Sequence, residues 1–373
     1  MKYSALLFLA LLAACSCSQP ATPDNAPLVF VGTYTGDLGF VQGKAEGIYT
    51  CRLDTATGAL TVVDTARGIR NPSFLTLSAD KKKLYAVAEN GGKPGEPYGS
   101  VVAYRISPSG RLEKINEQPS YGAAPCHIAL DAGGQVALVA NYATGNVASY
   151  RINPDGSLSD SLCRVQHPGK SPWAHMILPM PGRTGRVVAV DKGADQLFVY
   201  ALENGKLRRL DSLRLPAGAG PRHLDFHPSD PTLAVVICEN NSTLVSVRFD
   251  AQGLHPQALY TQTTLPPDFQ GKNTCADVHI HPGGQLVYGS NRGHNSIAVF
   301  GLDAASGRLQ PLGHTPTQGE TPRNFLITPK GNLLLVANQN TGNVATFRIN
   351  TKTGQLLPTG LVRAIPTPVC LKM

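Results

Sequence analysis

Two rows of polar residues recur along the 373-residue chain at intervals of about fifty residues. The first reads Asn71-Pro72, Pro125-Cys126-His127, Pro172-Trp173-Ala174-His175, Pro221-Arg222-His223, Asp277-Val278-His279 and Pro322-Arg323-Asn324. The second reads Thr33-Tyr34, Glu89-Asn90, Asn141-Tyr142, Asp191-Lys192, Glu239-Asn240, Asn291-Arg292 and Asn338-Gln339. Turn formers such as Gly, Asn and Asp would suffice for a framework at such positions. Arg222, Arg292, Arg323, His175 and Glu239 go beyond that need, and cationic side chains gathered in one place suit an anionic small molecule. Calcium held by Glu239, Asn141 and Asp191 is a competing chemistry. The guanidinium groups in the same rows oppose a divalent cation, so neither a metal nor another cofactor is expected. The chain has no GxSxG elbow for a serine nucleophile and no Gly-rich phosphate loop ahead of a helix.

The elements that must position these rows come from a repeat. A Gly followed by Leu one residue later, or at once, recurs at Gly58, Gly110, Gly156, Gly205, Gly253, Gly307 and Gly354, spaced by 46 to 54 residues. Each copy follows a short alternating segment such as "GNVASYRINP" and so marks a hairpin corner. A Pro-containing polar step, a strand, a Gly or Asp turn and an Ala/Val-rich second strand follow, as in "PCHIALDAGGQVALVAN". Four short strands per repeat and seven repeats predict an all-β, seven-bladed β-propeller. No run carries the 3.6-residue period of a sustained helix. The N-terminal "PLVFVGTYTG" lacks a first strand and the C-terminal repeat lacks its end, so the two are expected to complete one shared blade.

Strands joined by a tight turn return to the same end, which puts both polar rows at one mouth of the central channel. Arg222 and His223, adjacent in an extended segment, are expected to face opposite sides. His127 reads as a packing or backbone-bonding residue, and Trp173 and Met180 as wall or core. His227 and His281, before Pro and Gly turns, read as exposed turn residues at the far end. His255 and His314 fall in outer segments and carry no signal.

The first residues, "MKYSALLFLALLAACSCSQ", read as an export signal over 1–14, with Leu12-Ala13-Ala14-Cys15 similar to a bacterial lipobox. Lipid on Cys15 and a tether over 15–27 would place a propeller of 28–373 in the cell envelope, anchored by lipid only; a plain soluble export signal is the alternative. Beyond Cys15 and Cys17 in the leader, the remaining six cysteines, Cys51, Cys126, Cys163, Cys238, Cys275 and Cys370, stand singly and mostly in apolar surroundings and read as free thiols. A net charge of +8 with no basic run beyond Lys81-Lys82-Lys83 argues against a nucleic-acid partner.

"AGAGPRHLDFHP", "ADVHIHPGGQLVYGSNRGHNSIAVF" and "GETPRNFLITPKGNLLLVANQNTGNVATFRI" resemble the lactonase family of seven-bladed propellers, which includes propeller-type 6-phosphogluconolactonases and carboxymuconate cyclases. The resemblance runs from Leu28 to Cys370. It implies a pocket at the channel mouth with His175, Arg222, Glu239 and Arg292 as catalytic residues, and His223, His279, His294, Arg323 and Asn324 as substrate-positioning ones. Where this chain has Trp173, the family often has a second His. The implied activity is 6-phosphogluconolactonase-like hydrolysis of a sugar or anionic lactone, with His175 as base and the arginines stabilising the oxyanion. A lactonising cyclase and a non-catalytic binding propeller are the alternatives.

Overall fold

The computed structural model of the protein describes residues 26–91 and 98–373, so Cys15, the export signal and most of the tether lie outside the described residues. No helix occurs among the described residues; they form seven four-stranded antiparallel sheets. In six of them the strands follow in chain order from the channel outward. We number these blades 2 to 7 by their innermost strands: Leu75–Leu77, Pro125–Leu130, Ala174–Pro179, Pro221–Phe226, Thr274–Ile280 and Pro322–Ile327. Blade 1 takes its innermost strand, Pro368–Lys372, from the C-terminus and its other three from the N-terminus. Val31 pairs with Leu371 across that seam, which closes the ring and leaves no open edge on the N-terminal strand.

Burial follows distance from the axis. The second strand of blade 5, Leu233–Cys238, is buried at every position because neighbouring blades cover both its faces, and it reads accordingly as the unbroken apolar run LAVVIC. The outermost strand of the same blade, Gln257–Thr263, is almost wholly exposed. Apolar layers between blades, such as Leu233, Val235 and Ile237 against Val287, Ala298 and Phe300, form the core.

The Gly-Leu marker has a physical cause. Each marker glycine connects the third and fourth strands of its blade, and all of them have φ between +71° and +92°, the left-handed region that Gly enters without strain. The corner also abuts the preceding blade: Tyr85 donates to the Gly156 carbonyl at 3.1 Å, and Thr50 to that of Gly110 at 2.9 Å. The six cysteines among the described residues are free, and five of them are buried.

His227 and His281 are turn residues, but they are buried rather than exposed. His227 Nδ1 accepts from the Asp230 amide at 3.0 Å. His281 accepts from the Gly283 amide at 2.9 Å, and its other ring nitrogen lies 2.9 Å from the Gly331 carbonyl of the next blade. These rings fill the space beneath adjoining turns, a packing role that local turn chemistry does not reveal.

Candidate active site

A recurring irregularity in the innermost strands presents the polar residues. In blade 5, Pro221 pairs with Cys238 and His223 with Ile237, which leaves Arg222 as the extra residue of a β-bulge. The same skip singles out His175 in blade 4, Arg323 in blade 7 and Cys126 in blade 3. A bulge breaks the strict alternation of side chains and re-aims the extra residue. Arg222 and His223 therefore do not face opposite sides: Arg222 Nη1 lies 3.3 Å from His223 Nε2, with both side chains turned toward the channel.

The channel mouth holds a cavity of about 320 Å³. Its wall includes His175, Glu239, Arg292 and Arg323, together with Lys192, Tyr142, Glu89 and Cys126. Glu239 is the hub. Lys192 donates to its Oε1 at 2.6 Å, while Arg222 Nε and Arg292 Nη2 each lie 3.0 Å from its Oε2. The two arginine approaches are charge pairing rather than aligned hydrogen bonds. Arg222 instead donates to the Ala276 carbonyl, and Arg292 to that of Cys275 at 2.8 Å. Burial alone would raise the Glu239 carboxyl, but Arg292, Arg222 and Lys192 outweigh it and bring it down to about 2. Glu239 thus stays ionised, with both oxygens committed to cations.

His175 is the opposite case. It is buried, and neither ring nitrogen has a hydrogen-bond partner among the described residues. Burial first, then the charges of Arg222 and Arg323 and the neighbouring His223, hold it well below the usual imidazole range, so it is neutral. Arg323 lies 5.3 Å above the Tyr34 ring and 5.8 Å from that of Phe40, which anchors it by cation–π contact. Lys192 likewise sits 5.7 Å and 5.6 Å from the centres of the stacked Tyr142 and Trp173 rings.

Deeper in the channel a second cavity, of about 200 Å³, is lined by residues from all seven innermost strands or the step just before them. His223, His279 and Asn324 belong here rather than to the mouth cavity, and they converge on Asp277. His223 Nδ1 lies 2.7 Å from Asp277 Oδ1 and His279 Nε2 3.1 Å from Oδ2, while Asn324 also donates to Oδ2. Burial and Arg222 depress His223 to about 4 despite Asp277. For His279, burial pulls downward, but Asp277 and Asp225 prevail and raise it to about 10. Spacing along the strand explains the separation: His279 and Asn324 lie further from the mouth than the bulged positions. His294 also lines neither cavity; it packs against Phe269 and His314 at 5.0 and 5.4 Å. His127 accepts from the Ile177 amide at 3.4 Å and lies against Phe74, as a packing residue does.

The family model described as "Lactonase, 7-bladed beta-propeller" matches residues 28–373. The chain belongs to the lactonase family. It is 34% identical over 304 residues to the 6-phosphogluconolactonase of Bacillus subtilis (strain 168), covering 80% of this chain and 84% of that one. A 6-phosphogluconolactonase of Formosa agariphila is 31% identical over 314 residues, covering 80% and 86%. Among solved structures, a periplasmic gluconolactonase of Pseudomonas aeruginosa superposes with a TM-score of 0.85 at 30% identity, covering 93% of this chain and 99% of that one.

Several residues at the mouth of this lactonase-family propeller were not singled out by sequence. Lys192 and Glu89 stand in the second polar row without a motif to set them apart from turn residues. Leu38 and Phe40 reach the cavity from the loop after Leu28–Thr33, which lies outside both rows. The length of that loop, thirteen residues where the corresponding links of blades 3 to 7 have three or four, was the available signal.

Proposed function

We propose that the protein hydrolyses a sugar lactone carrying a negative charge, in the mouth cavity, with His175 as general base. The observation that carries this reading is His175 itself: a buried, neutral imidazole with no protein partner on the wall of a cavity otherwise rich in cations. A ring nitrogen not engaged by the protein is free to take a proton from water. Arg292, Arg323 and Lys192 line the cavity with Arg222 just beneath it, and only Glu239 is committed as an anion, paired with Lys192, Arg222 and Arg292, so the site keeps a positive excess.

The water loses its proton to His175 as its oxygen bonds to the lactone carbonyl carbon. The developing oxyanion falls to Arg292 and Arg222, which Glu239 holds in place before substrate arrives, so little reorganisation is needed. Glu239, pinned as an anion, serves to orient these cations rather than to shuttle protons. Arg323, secured on its aromatic seat, is left to grip the substrate anion. Binding an anion among these cations also raises the basicity of His175 when it is needed.

The names of the relatives supply the sugar-lactone class. The export signal over 1–14 and lipid on Cys15 give an envelope location, alongside the periplasmic description of the Pseudomonas aeruginosa protein. The test is a panel of δ-gluconolactone, its 6-phosphate and uronic lactones, assayed on protein lacking residues 1–14. Hydrolysis abolished by His175→Ala in a folded variant is the expected result. A wild-type protein that opens no member of the panel, or a His175→Ala variant as active as wild type, would overturn the reading.

A further inference from the structure

Glu89 and Glu239 occupy the same place in their blades, each directly after the second strand, Lys83–Ala88 in one and Leu233–Cys238 in the other. Both carboxyls line the mouth cavity. Their surroundings drive them apart. Glu239 is surrounded by three cations and stays ionised. Glu89 is buried and makes no ion pair among the described residues; burial raises its carboxyl above the usual range, and the pull of Arg323, of the Ser73 and Tyr34 hydroxyls and of Arg222 opposes this only in part. Two carboxyls whose environments separate their proton affinities in one site commonly divide acid and base duties.

The position of Glu89 gives the duty a target. Glu89, Cys126, His175 and Arg323 line both the mouth cavity and the narrow throat beneath it, so together they form the cavity floor. The Tyr34 hydroxyl donates to Glu89 Oε2 at 3.1 Å, and Ser73 stands beside the same carboxyl in the throat wall. The titratable groups that share the throat with Glu89 are Tyr34 from blade 1, Cys126 from blade 3, His175 from blade 4, Arg222 and His223 from blade 5 and Arg323 from blade 7.

We propose that Glu89 is the general acid that protonates the leaving ring oxygen. This rests on the lactonase reading and gives the leaving oxygen a proton donor separate from the base His175. As the tetrahedral intermediate collapses, the bond between the carbonyl carbon and the ring oxygen breaks, and that oxygen takes the Glu89 proton to become a hydroxyl. The water oxygen remains as part of the new carboxylic acid. The proton first taken by His175 then returns through water to Glu89, which restores both groups; the sum is lactone plus water to hydroxy acid. The rival donors are poorer. Arginine does not release its proton, the Lys192 ammonium is held on Glu239, burial pushes the Tyr34 hydroxyl and the Cys126 thiol up, and the Tyr142 hydroxyl is raised to about 12.

The experiment compares Glu89→Gln on two lactones in full pH profiles. One is δ-gluconolactone, whose alkoxide leaving group needs a proton. The other is dihydrocoumarin, whose phenolate leaves without one. The expected result is a loss of roughly 10²-fold or more in kcat on the sugar lactone, a loss at least about tenfold smaller on the aryl lactone, and disappearance of the alkaline limb on the sugar lactone. Equal losses on the two substrates, or no loss on either, would overturn the assignment of Glu89 while leaving His175 and the lactonase reading in place. A wild-type enzyme inactive on both lactones and on the wider panel overturns the two together. Should Glu89→Gln fail to fold, Tyr34→Phe provides the test. Removing a hydrogen bond to the ionised carboxylate must move the alkaline limb to higher pH, and an unmoved limb counts against Glu89.

Discussion

His223 is bonded to Asp277 through Nδ1 at 2.7 Å and receives Arg222 Nη1 on Nε2 at 3.3 Å, so one imidazole ties the deep part of the channel to the mouth. With Asp277 ionised, the proton of the neutral ring belongs on Nδ1, and Nε2 is left to accept from the guanidinium. His223 thereby positions Arg222 and touches no part of the mouth cavity. His223→Phe keeps the volume of the ring and removes the acceptor. We expect kcat to fall about 10-fold or more through a misplaced Arg222, with a smaller change in KM, and a folded Tm within a few degrees of wild type. Steady-state kinetics with a thermal melt read both; an unchanged kcat would remove His223 from the positioning of Arg222.

Glu239 separates three cations that would otherwise repel. Glu239→Gln keeps the shape and deletes the charge, leaving Arg222, Arg292 and Lys192 without their shared anion. Breaking a buried pair in this way costs about 3–5 kcal/mol, so the denaturant midpoint should fall clearly, along with activity. The pH dependence has a defined sign. The folded value of Glu239, about 2, lies below its unfolded value, so its contribution is present above about pH 4.3 and is lost as pH falls through 2. The acid side of the stability curve should therefore be shallower in Glu239→Gln than in wild type.

The two histidines on Asp277 bound the stability curve from opposite sides. His279, raised to about 10, contributes stability that is complete below its unfolded value near 6.5 and is lost as pH rises toward 10. His223, depressed to about 4, must be charged in the unfolded chain first, so stability falls as pH drops from about 6.5 toward 4. Maximum stability is expected close to pH 6.5. His279→Gln should flatten the alkaline slope far more than the acid slope, measured as the denaturation midpoint across pH 4 to 10; His279 is only the last of the causes that depress His223.

The seven Gly-Leu corners, the shared blade and the placement of Arg222, His175, Arg292 and Glu239 at one mouth were legible because each depends on local pattern. A left-handed corner demands Gly, a buried second strand demands an apolar run, and a polar step recurs wherever the chain re-enters the channel. Depth along the channel was not legible. Strict alternation put Arg222 and His223 on opposite sides, but the bulge at Pro221 turned both inward. His279 and Asn324 carry the same residue types as a substrate site, and only the three-dimensional convergence on Asp277 shows them committed to it. Glu89 escaped for a related reason: its chemistry comes from burial, and nothing in its place in the second polar row sets it apart from the half-buried Tyr142, Lys192 and Glu239.

The corner glycines also give a control that separates fold from catalysis. At Gly205 φ is +78°, and a Cβ would come within 2.2 Å of Leu162 Cδ1 on the preceding blade. Gly205→Ala must therefore adopt a backbone conformation unfavourable to L-residues and push a neighbouring side chain aside at the same time. The combined cost is about 2–4 kcal/mol, which should appear as a lower denaturant midpoint. Gly205 sits at the blade periphery and lines neither channel cavity, so kcat on a hydrolysed lactone should stay within about twofold of wild type below the new melting temperature. Equal losses in stability and in kcat would mean that blade packing at the rim controls the geometry of Arg222 and His175, and the independence of rim and mouth would fail.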